Sequence, residues 1–470
     1  MRRTKIVCTL GPACRSPEML TSLIRAGADV IRLNAAHGDH DTFRADMERI
    51  RSISRKMSKV VAIMFDLQGP RIRTGEMVSG GVLLREGEEV VLTSRPVVGT
   101  KGLISLSYPH LAQDVRKGAK ILLDDGLLEL EVEEKKDDEV KCRVITGGIL
   151  ESHKGVNLPN ISLSISSVTD KDIDDLLFAL DNDVDWVAMS FVRKAEDIAV
   201  LKDAAREKGF EVKIVAKIEK HEAVRNIDEI IEAADAVMVA RGDLGVEMAT
   251  EKVPIIQKKI LEESIRAGRP VIVATQMLDS MIRNPRPTRA EASDVANAIF
   301  DWTDATMLSG ETAIGKYPVD AVKTMDKIIR SAEAILDYKE DLERKSSLPH
   351  RTMTDAISFA CREIARDLQA AAIITATQSG YTARQISKYR PPSPIIACSP
   401  DPKVVNQLVL SWGVTPLLVR PSRNIDDMLD IAATAALEAR QVKKGDTVVI
   451  TAGVLVNVPG TTNLIKVHQI

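Results

Sequence analysis

Short apolar runs alternate with longer amphipathic stretches through the first two thirds of the chain. Eight runs read as strands: 5–10 (KIVCTL), 29–34 (DVIRLN), 61–67 (VAIMFDL), 186–192 (WVAMSFV), 213–219 (KIVAKIE), 236–241 (AVMVAR), 270–276 (PVIVATQ) and 305–309 (ATMLS). These runs hardly alternate between apolar and polar, as expected of parallel strands buried on both faces. Helical patterns such as 17–26, 40–56, 195–208, 221–233 and 251–266 fall between most of them. Eight strands separated by helices predict an α/β fold built on a (β/α)8 barrel, a TIM barrel.

The interval between the third and fourth strands is far longer than one helix needs. Residues 71–165 are rich in Gly, Val and charge, with strand-like pieces at 81–92, 120–124, 127–133 and 139–146. This predicts a small β-barrel domain inserted in a barrel loop. Barrel active sites form at the C-terminal ends of the strands, so an insertion leaving strand three sits over the site as a lid. After the charged stretch DYKEDLERKSSLPH, a linker by composition, comes a helix at 351–367. Strands at 371–377, 394–399, 414–419, 446–453 and 462–467 then alternate with helices at 380–389, 402–411 and 423–439. The expected organisation is a barrel over 1–70 and 166–335, a lid over 71–165, and a C-terminal α/β domain over 336–470.

Composition narrows the classes. A length of 470 residues calls for two or three domains. The formal net charge of -3 argues against a general nucleic-acid surface. No run approaches 18 apolar residues, so no membrane span is expected. The five cysteines, 8, 14, 142, 361 and 398, show no CxxC spacing and suggest neither a disulfide framework nor a zinc knuckle. A cytoplasmic, reducing location is the expectation.

Candidate chemistry gathers where the strands end. Arg32 and Asn34 lie two apart on strand two and share a face. Strand three ends in Asp66, followed by Arg71 and Arg73. Strand five delivers Lys217 and Glu219, again on one face. Strand six ends in a turn, Arg241-Gly242-Asp243; strand seven ends in Thr275 and strand eight in Ser309 and Glu311. Lys5 and Asp29, at strand starts, read as solvated structure. Burying many ionisable groups around one point is costly unless ligands and ions complete their pairing. Glu219 and Asp243 are hard oxygen donors suited to Mg2+ or Mn2+. Arg32, Arg73 and Lys217 supply the positive charge that a transferring phosphoryl group requires. The Gly242 region and the Thr275 hydroxyl could bind a small carboxylate. There is no GxxxxGK[ST] motif, so the chain is not a P-loop enzyme.

The segments CTLGP, RLNAAHG, DLQGPRIRTG, SHKGVNLP, KIEKHE, RGDLGVE, ATQMLDSM and MLSGETAIGKYP closely resemble the successive signatures of the pyruvate kinase family, from residue 4 to the terminal TTNLIKV. The resemblance implies phosphoryl transfer from phosphoenolpyruvate to ADP, with one divalent ion on the protein and another arriving with nucleotide. It implies that Lys217 contacts the transferring phosphoryl, that Glu219 and Asp243 bind the metal, and that Gly242, Asp243 and Thr275 surround the substrate carboxylate. It assigns Arg32 to the substrate phosphate, and Arg73, His37 and the lid residue Lys154 to nucleotide phosphates. Asp125 matches a lid acid of the closed state. Thr275 and Ser309 lie near where the enolate is protonated. A homotetramer is expected from the same likeness.

The chain departs from the family's usual potassium site. Asn34, Asp66 and the carbonyl of Leu67 remain, but Ala36 stands where a serine is usual and Leu67-Gln68 replaces Thr-Lys. Arg71 stands where a glutamate is usual. A methyl cannot coordinate an ion, and a nearby guanidinium repels one. The expectation is that Arg71 substitutes for K+ and that no monovalent cation is required. In the C-terminal domain, TATQSGYTAR opens a helix with Thr377, Ser379, Gly380 and Thr382 around a turn, a ready anion site. With Arg384 and the loop 453–461 it is expected to form an effector pocket for a sugar phosphate or nucleotide.

Overall fold

The computed structural model describes residues 2–336, 352–453 and 462–470. Eight parallel strands close into a barrel in chain order: Lys5–Thr9, Val30–Asn34, Ala62–Asp66, Trp186–Met189, Ile214–Ile218, Ala236–Ala240, Val271–Ala274 and Ala305–Leu308. The first strand pairs with both the second and the eighth. All eight expected runs are present, each somewhat shorter than its apolar stretch. Period two survives inside them. Val7, Val30, Met64, Val215 and Met238 pack along the axis, while Ile6, Ile31, Phe65, Ile214 and Val239 face the helices. Both faces are apolar, which is why hydropathy alone shows no alternation.

Local chemistry fixes the helix ends. Ser16 accepts from the Met19 N–H to start Pro17–Ala26, and Thr169 and Thr288 form capping boxes with Asp172 and Glu291. The expected helix 221–233 is in fact two, His221–Arg225 and Ile227–Ala233. Asn226 breaks the run, its side-chain amide donating to the Arg193 carbonyl at 2.9 Å instead.

The insertion holds a six-stranded sheet and a two-stranded ribbon, Gly81–Leu84 with Gly148–Glu151, curled around one core as a half-barrel. The run 81–92 is split by a turn with Gly87 at φ +79°, giving a second strand at Glu89–Thr93. The lid's return segment is clamped to the barrel by Arg193, which donates to the carbonyls of Leu163 and Ile165 and to Ser167 Oγ, each at 2.8 Å.

The C-terminal domain is a five-stranded sheet with helices, its last strand Thr462–Gln469 antiparallel to Thr447–Gly453. Leu410 and Val409 join the apolar cluster inside the barrel, closing its N-terminal end. Beside them the Arg390 guanidinium pairs with Asp304 at 2.9 Å, both residues nearly fully buried. Lys5 and Asp29, expected to be solvated, are both engaged: Lys5 reaches the C-terminal domain, and Asp29 is held within the barrel floor. Lys5 Nζ donates to the Val414 carbonyl at 2.7 Å, and Asp29 accepts from the Ile6 N–H at 2.9 Å and pairs with Arg2. All five cysteines are buried and unpaired. Among the described residues, no helix is long and apolar enough to cross a membrane. The linker 337–350 and most of the loop 453–461 lie outside the described residues.

Candidate active site

The inward-facing positions change character along each strand. Apolar at the N-terminal end, they become polar at the C-terminal end: Thr9 follows Val7, Arg32 follows Val30, Asp66 follows Met64, Ser190 follows Ala188 and Lys217 follows Val215. Period two therefore aims these side chains at one point on the barrel axis.

At that point Asp66, only 1% exposed, holds two cations. Arg32 Nε donates to its Oδ2 at 2.7 Å, and Lys217 Nζ lies 3.3 Å from its Oδ1. Arg32 also donates to Thr9 Oγ1 at 3.0 Å. Burial raises the Asp66 carboxyl, but Lys217 and Arg32 more than offset it and hold the group below its ordinary range. Lys217 further contacts Glu219 Oε1 at 2.9 Å and donates to Ser190 Oγ at 2.7 Å. Burial pulls the Lys217 ammonium down, yet Asp66 and Glu219 win and raise it, so it stays charged. Glu219 accepts from the Phe191 N–H at 2.8 Å. Burial raises its carboxyl; Lys217 opposes this and the charge of Asp243 reinforces it.

Gly242 and Asp243 sit in the first turn of a helix, Arg241–Glu247, rather than in the expected turn. The Gly242 N–H donates to Thr275 Oγ1 at 2.8 Å. Thr275 and Gln276 adopt φ of +67° and +54°, a left-handed kink, and the Thr275 hydroxyl donates to the Ala274 carbonyl at 2.6 Å. Arg241 braces that kink through the Thr275 carbonyl at 2.9 Å and pairs with Asp294 at 2.7 Å. Glu311 is likewise a brace, accepting from the N–H groups of Ser309 and Leu278 at 2.7 and 3.0 Å. Ser309 stays half-buried at the rim.

A cavity of about 180 Å3 opens between mouth and lid, lined by Arg71, Arg73, Asp125, Arg193, Lys220 and Asp243. Arg73 donates to the His153 carbonyl at 2.8 Å, and Lys154 bridges Asp124 and Glu151 at 3.2 and 3.0 Å. Asp125 is exposed with φ of +54° at the lid's hairpin tip. His37 is exposed close by. The partial desolvation it does undergo and the charges of Arg71, Arg73 and Arg32 lower its imidazole below the usual value.

The groups of the potassium pattern are engaged internally. Asn34 Oδ1 accepts from the Ala36 N–H at 3.2 Å, and the Leu67 carbonyl accepts from Ser190 Oγ at 2.8 Å. Arg71 is exposed and lines the cavity between mouth and lid, with no ion pair among the described residues.

Among the described residues, no group of three or more His, Cys, Asp or Glu is arranged to hold a metal. Glu219 and Asp243 nonetheless fit Mg2+, which is commonly held by one or two carboxylates with substrate oxygens and water completing the octahedron. Their mutual repulsion is what a divalent ion would relieve.

In the C-terminal domain, Gly380 takes φ of +75° before the helix Tyr381–Lys388. Thr377 and Thr382 are buried, and the Thr382 hydroxyl bonds that of Thr462 at 2.6 Å. Ser379 gives its carbonyl to Arg384 at 3.2 Å, and Arg384 lines a cleft of about 1010 Å3 between this domain and the barrel.

Two family profiles match the chain: "Pyruvate kinase, barrel domain" over residues 1–322, and "Pyruvate kinase, alpha/beta domain" over 355–468. The chain belongs to the pyruvate kinase family. The pyruvate kinase of Geobacillus stearothermophilus is 49% identical across 100% of this chain and 80% of that protein. That of Staphylococcus epidermidis is 47% identical over the same whole chain and 81% of its own length. The crystal structure of a pyruvate kinase from Cryptosporidium parvum superposes with a TM-score of 0.94 at 38% identity, covering 100% of this chain and 96% of that one.

Of the residues named by the pyruvate kinase resemblance, Arg32, Asp66, Lys217 and Glu219 form one chain of contacts, and Gly242 meets Thr275. Ser190, Thr9, Phe191 and Arg193 were missed. Ser190 and Thr9 carried a signal, each being the third inward position of its strand, in WVAMS and KIVCT; Phe191 and Arg193 are legible only from tertiary contacts.

Proposed function

We propose that this barrel mouth transfers the phosphoryl group of phosphoenolpyruvate to ADP, and that the residues below divide the work. The carrying observation is the buried ionic chain in which Arg32 and Lys217 share Asp66 while Lys217 also meets Glu219. Phosphoryl transfer needs positioning and charge neutralisation more than covalent catalysis. Arg32 and Lys217 neutralise the equatorial oxygens as the bond from phosphorus to the enol oxygen breaks and a bond to the ADP β-phosphate oxygen forms. The N–H groups around Gly242 and the Thr275 hydroxyl orient the substrate carboxylate. Arg73, Lys154 and His37 receive the nucleotide phosphates, with Asp125 closing the lid above them. The enolate left behind takes a proton on its methylene carbon in the region of Thr275 and Ser309. Mg2+ or Mn2+ held by Glu219 and Asp243 would supply additional neutralisation of the substrate oxygens.

Potassium is dispensable in this reading. Asp66 already has two cationic partners, the Asn34 and Leu67 acceptors are engaged, and Arg71 adds fixed positive charge at the rim. Residues 1–70 and 166–335 act as the catalytic barrel, 71–165 as the lid and 336–470 as the regulatory and oligomerisation domain of a cytoplasmic homotetramer. Thr377, Ser379, Gly380, Thr382 and Arg384 form the effector turn for a sugar phosphate or nucleotide.

The test is the initial rate of pyruvate formation in tetramethylammonium buffer, with and without added K+ at matched ionic strength. Full turnover without K+ is expected. A large rise on adding K+ would refute the potassium-independent reading.

A further inference from the structure

Lys220 and Glu247 form a second ion pair beside the site, and the phosphoryl chemistry does not use it. Both are buried, at 8% and 1% exposure, and the Lys220 ammonium donates to Glu247 Oε1 at 2.5 Å. Burying such a pair gains little stability by itself, because desolvation consumes the Coulombic attraction. Its location is more informative.

Lys220 directly follows Glu219, and Glu247 ends the helix that begins with Arg241, Gly242 and Asp243. The pair thus ties the segment carrying one metal carboxylate to the helix carrying the other. The Lys220 ammonium also stands over the Phe191 ring, 5.6 Å from its centroid, and the Phe191 N–H holds Glu219 Oε2 at 2.8 Å. Phe191 keeps a left-handed φ of +55°, a conformation its surroundings must enforce. Gly69 packs so closely against the same ring that an added Cβ would fall 2.8 Å from Phe191 Cδ2. Asn157, from the last strand of the lid, lines the same cavity wall as Lys220 and Asp243.

Resting on the reading of Glu219 and Asp243 as divalent-cation ligands, we propose that Lys220 is a positioning residue whose contacts with Glu247 and Phe191 set the spacing of those two carboxylates and so the affinity for the divalent ion. The ammonium touches no reacting atom in this scheme. It acts through the Phe191 backbone and through the helix of Asp243.

The experiment is direct Mn2+ binding to the full-length protein, followed by the electron paramagnetic resonance of free Mn2+, alongside the steady-state KM for Mn2+. Lys220→Met is expected to weaken Mn2+ binding at least about tenfold and to raise the metal KM in step, while kcat at saturating Mn2+ changes much less. Lys220→Arg should restore most of the affinity, since a guanidinium can keep both contacts. Because Lys220→Met strands a buried carboxylate, Lys220→Met/Glu247→Leu is measured in parallel; it removes both charges and should still bind Mn2+ weakly. Folded variants whose Mn2+ affinity stays within about twofold of the parent would overturn the proposal, as would a drop in kcat with no change in metal affinity. A parent protein that takes up no Mn2+ would overturn the metal-site reading, and this proposal with it.

Discussion

Lys217 Nζ stands 2.9 Å from Glu219 Oε1, two residues on and just past the end of its own strand, and 3.3 Å from Asp66 Oδ1 on a different strand. One ammonium thus joins buried Asp66 to a carboxylate suited to a divalent metal. Its charge is held by two buried acids, and in the proposed reaction it neutralises the transferring phosphoryl group.

Replacing Lys217 tests that role. Lys217→Met should lower kcat by about 10^3-fold or more, the scale of losing a preorganised charge at a developing anion. Thermal melting of the variant separates this loss from unfolding, since Asp66 keeps Arg32 as a partner.

The lid clamp offers a second test. Arg193→Met removes three hydrogen bonds that anchor residues 163–167. Such a hinge change should lower kcat and raise the KM for ADP together, reducing kcat/KM by about tenfold to a hundredfold. Initial rates with ADP varied at saturating phosphoenolpyruvate measure it.

The junction with the C-terminal domain rests on Arg390 and Asp304. Asp304→Asn leaves a buried guanidinium without its counterion and should cost about 3–5 kcal/mol of stability. Denaturant unfolding reads the loss, which is larger than that of a surface pair.

His37 gives a pH-dependent prediction. Burial and three arginines lower its folded-state pKa below that of the unfolded chain. The unfolded chain therefore binds the proton first, and stability falls as pH drops from the unfolded value, about 6.5, towards the folded one. Arg71→Met removes one repelling charge and should raise the His37 pKa, followed by NMR titration of its ring protons. An unchanged value would mean that Arg71 does not stand over His37.

The barrel was legible because eight apolar runs of strand length alternate with amphipathic helices, the count that closes a (β/α)8 barrel, and its mouth because Arg32, Lys217 and Glu219 interrupt or directly end runs that are otherwise apolar. Ser190 escaped notice because a serine in an apolar strand carries no charge to advertise its direction. Lys220 and Glu247 lie 27 positions apart, and only the fold brings them together. Asn226 broke a helix that hydrophobic periodicity carried straight through, because its side chain found a tertiary carbonyl. Lys5 looked solvated because nothing local shows that another domain covers the barrel floor, and Asp29 because its partner Arg2 lies 27 residues away.

The most direct measurement follows pyruvate and ATP together from phosphoenolpyruvate and ADP, with Mg2+ present or chelated. The expected result is equal amounts of both products with Mg2+ and neither without it. Pyruvate released without matching ATP, or turnover undiminished by chelation, would contradict phosphoryl transfer at the Lys217–Glu219 site.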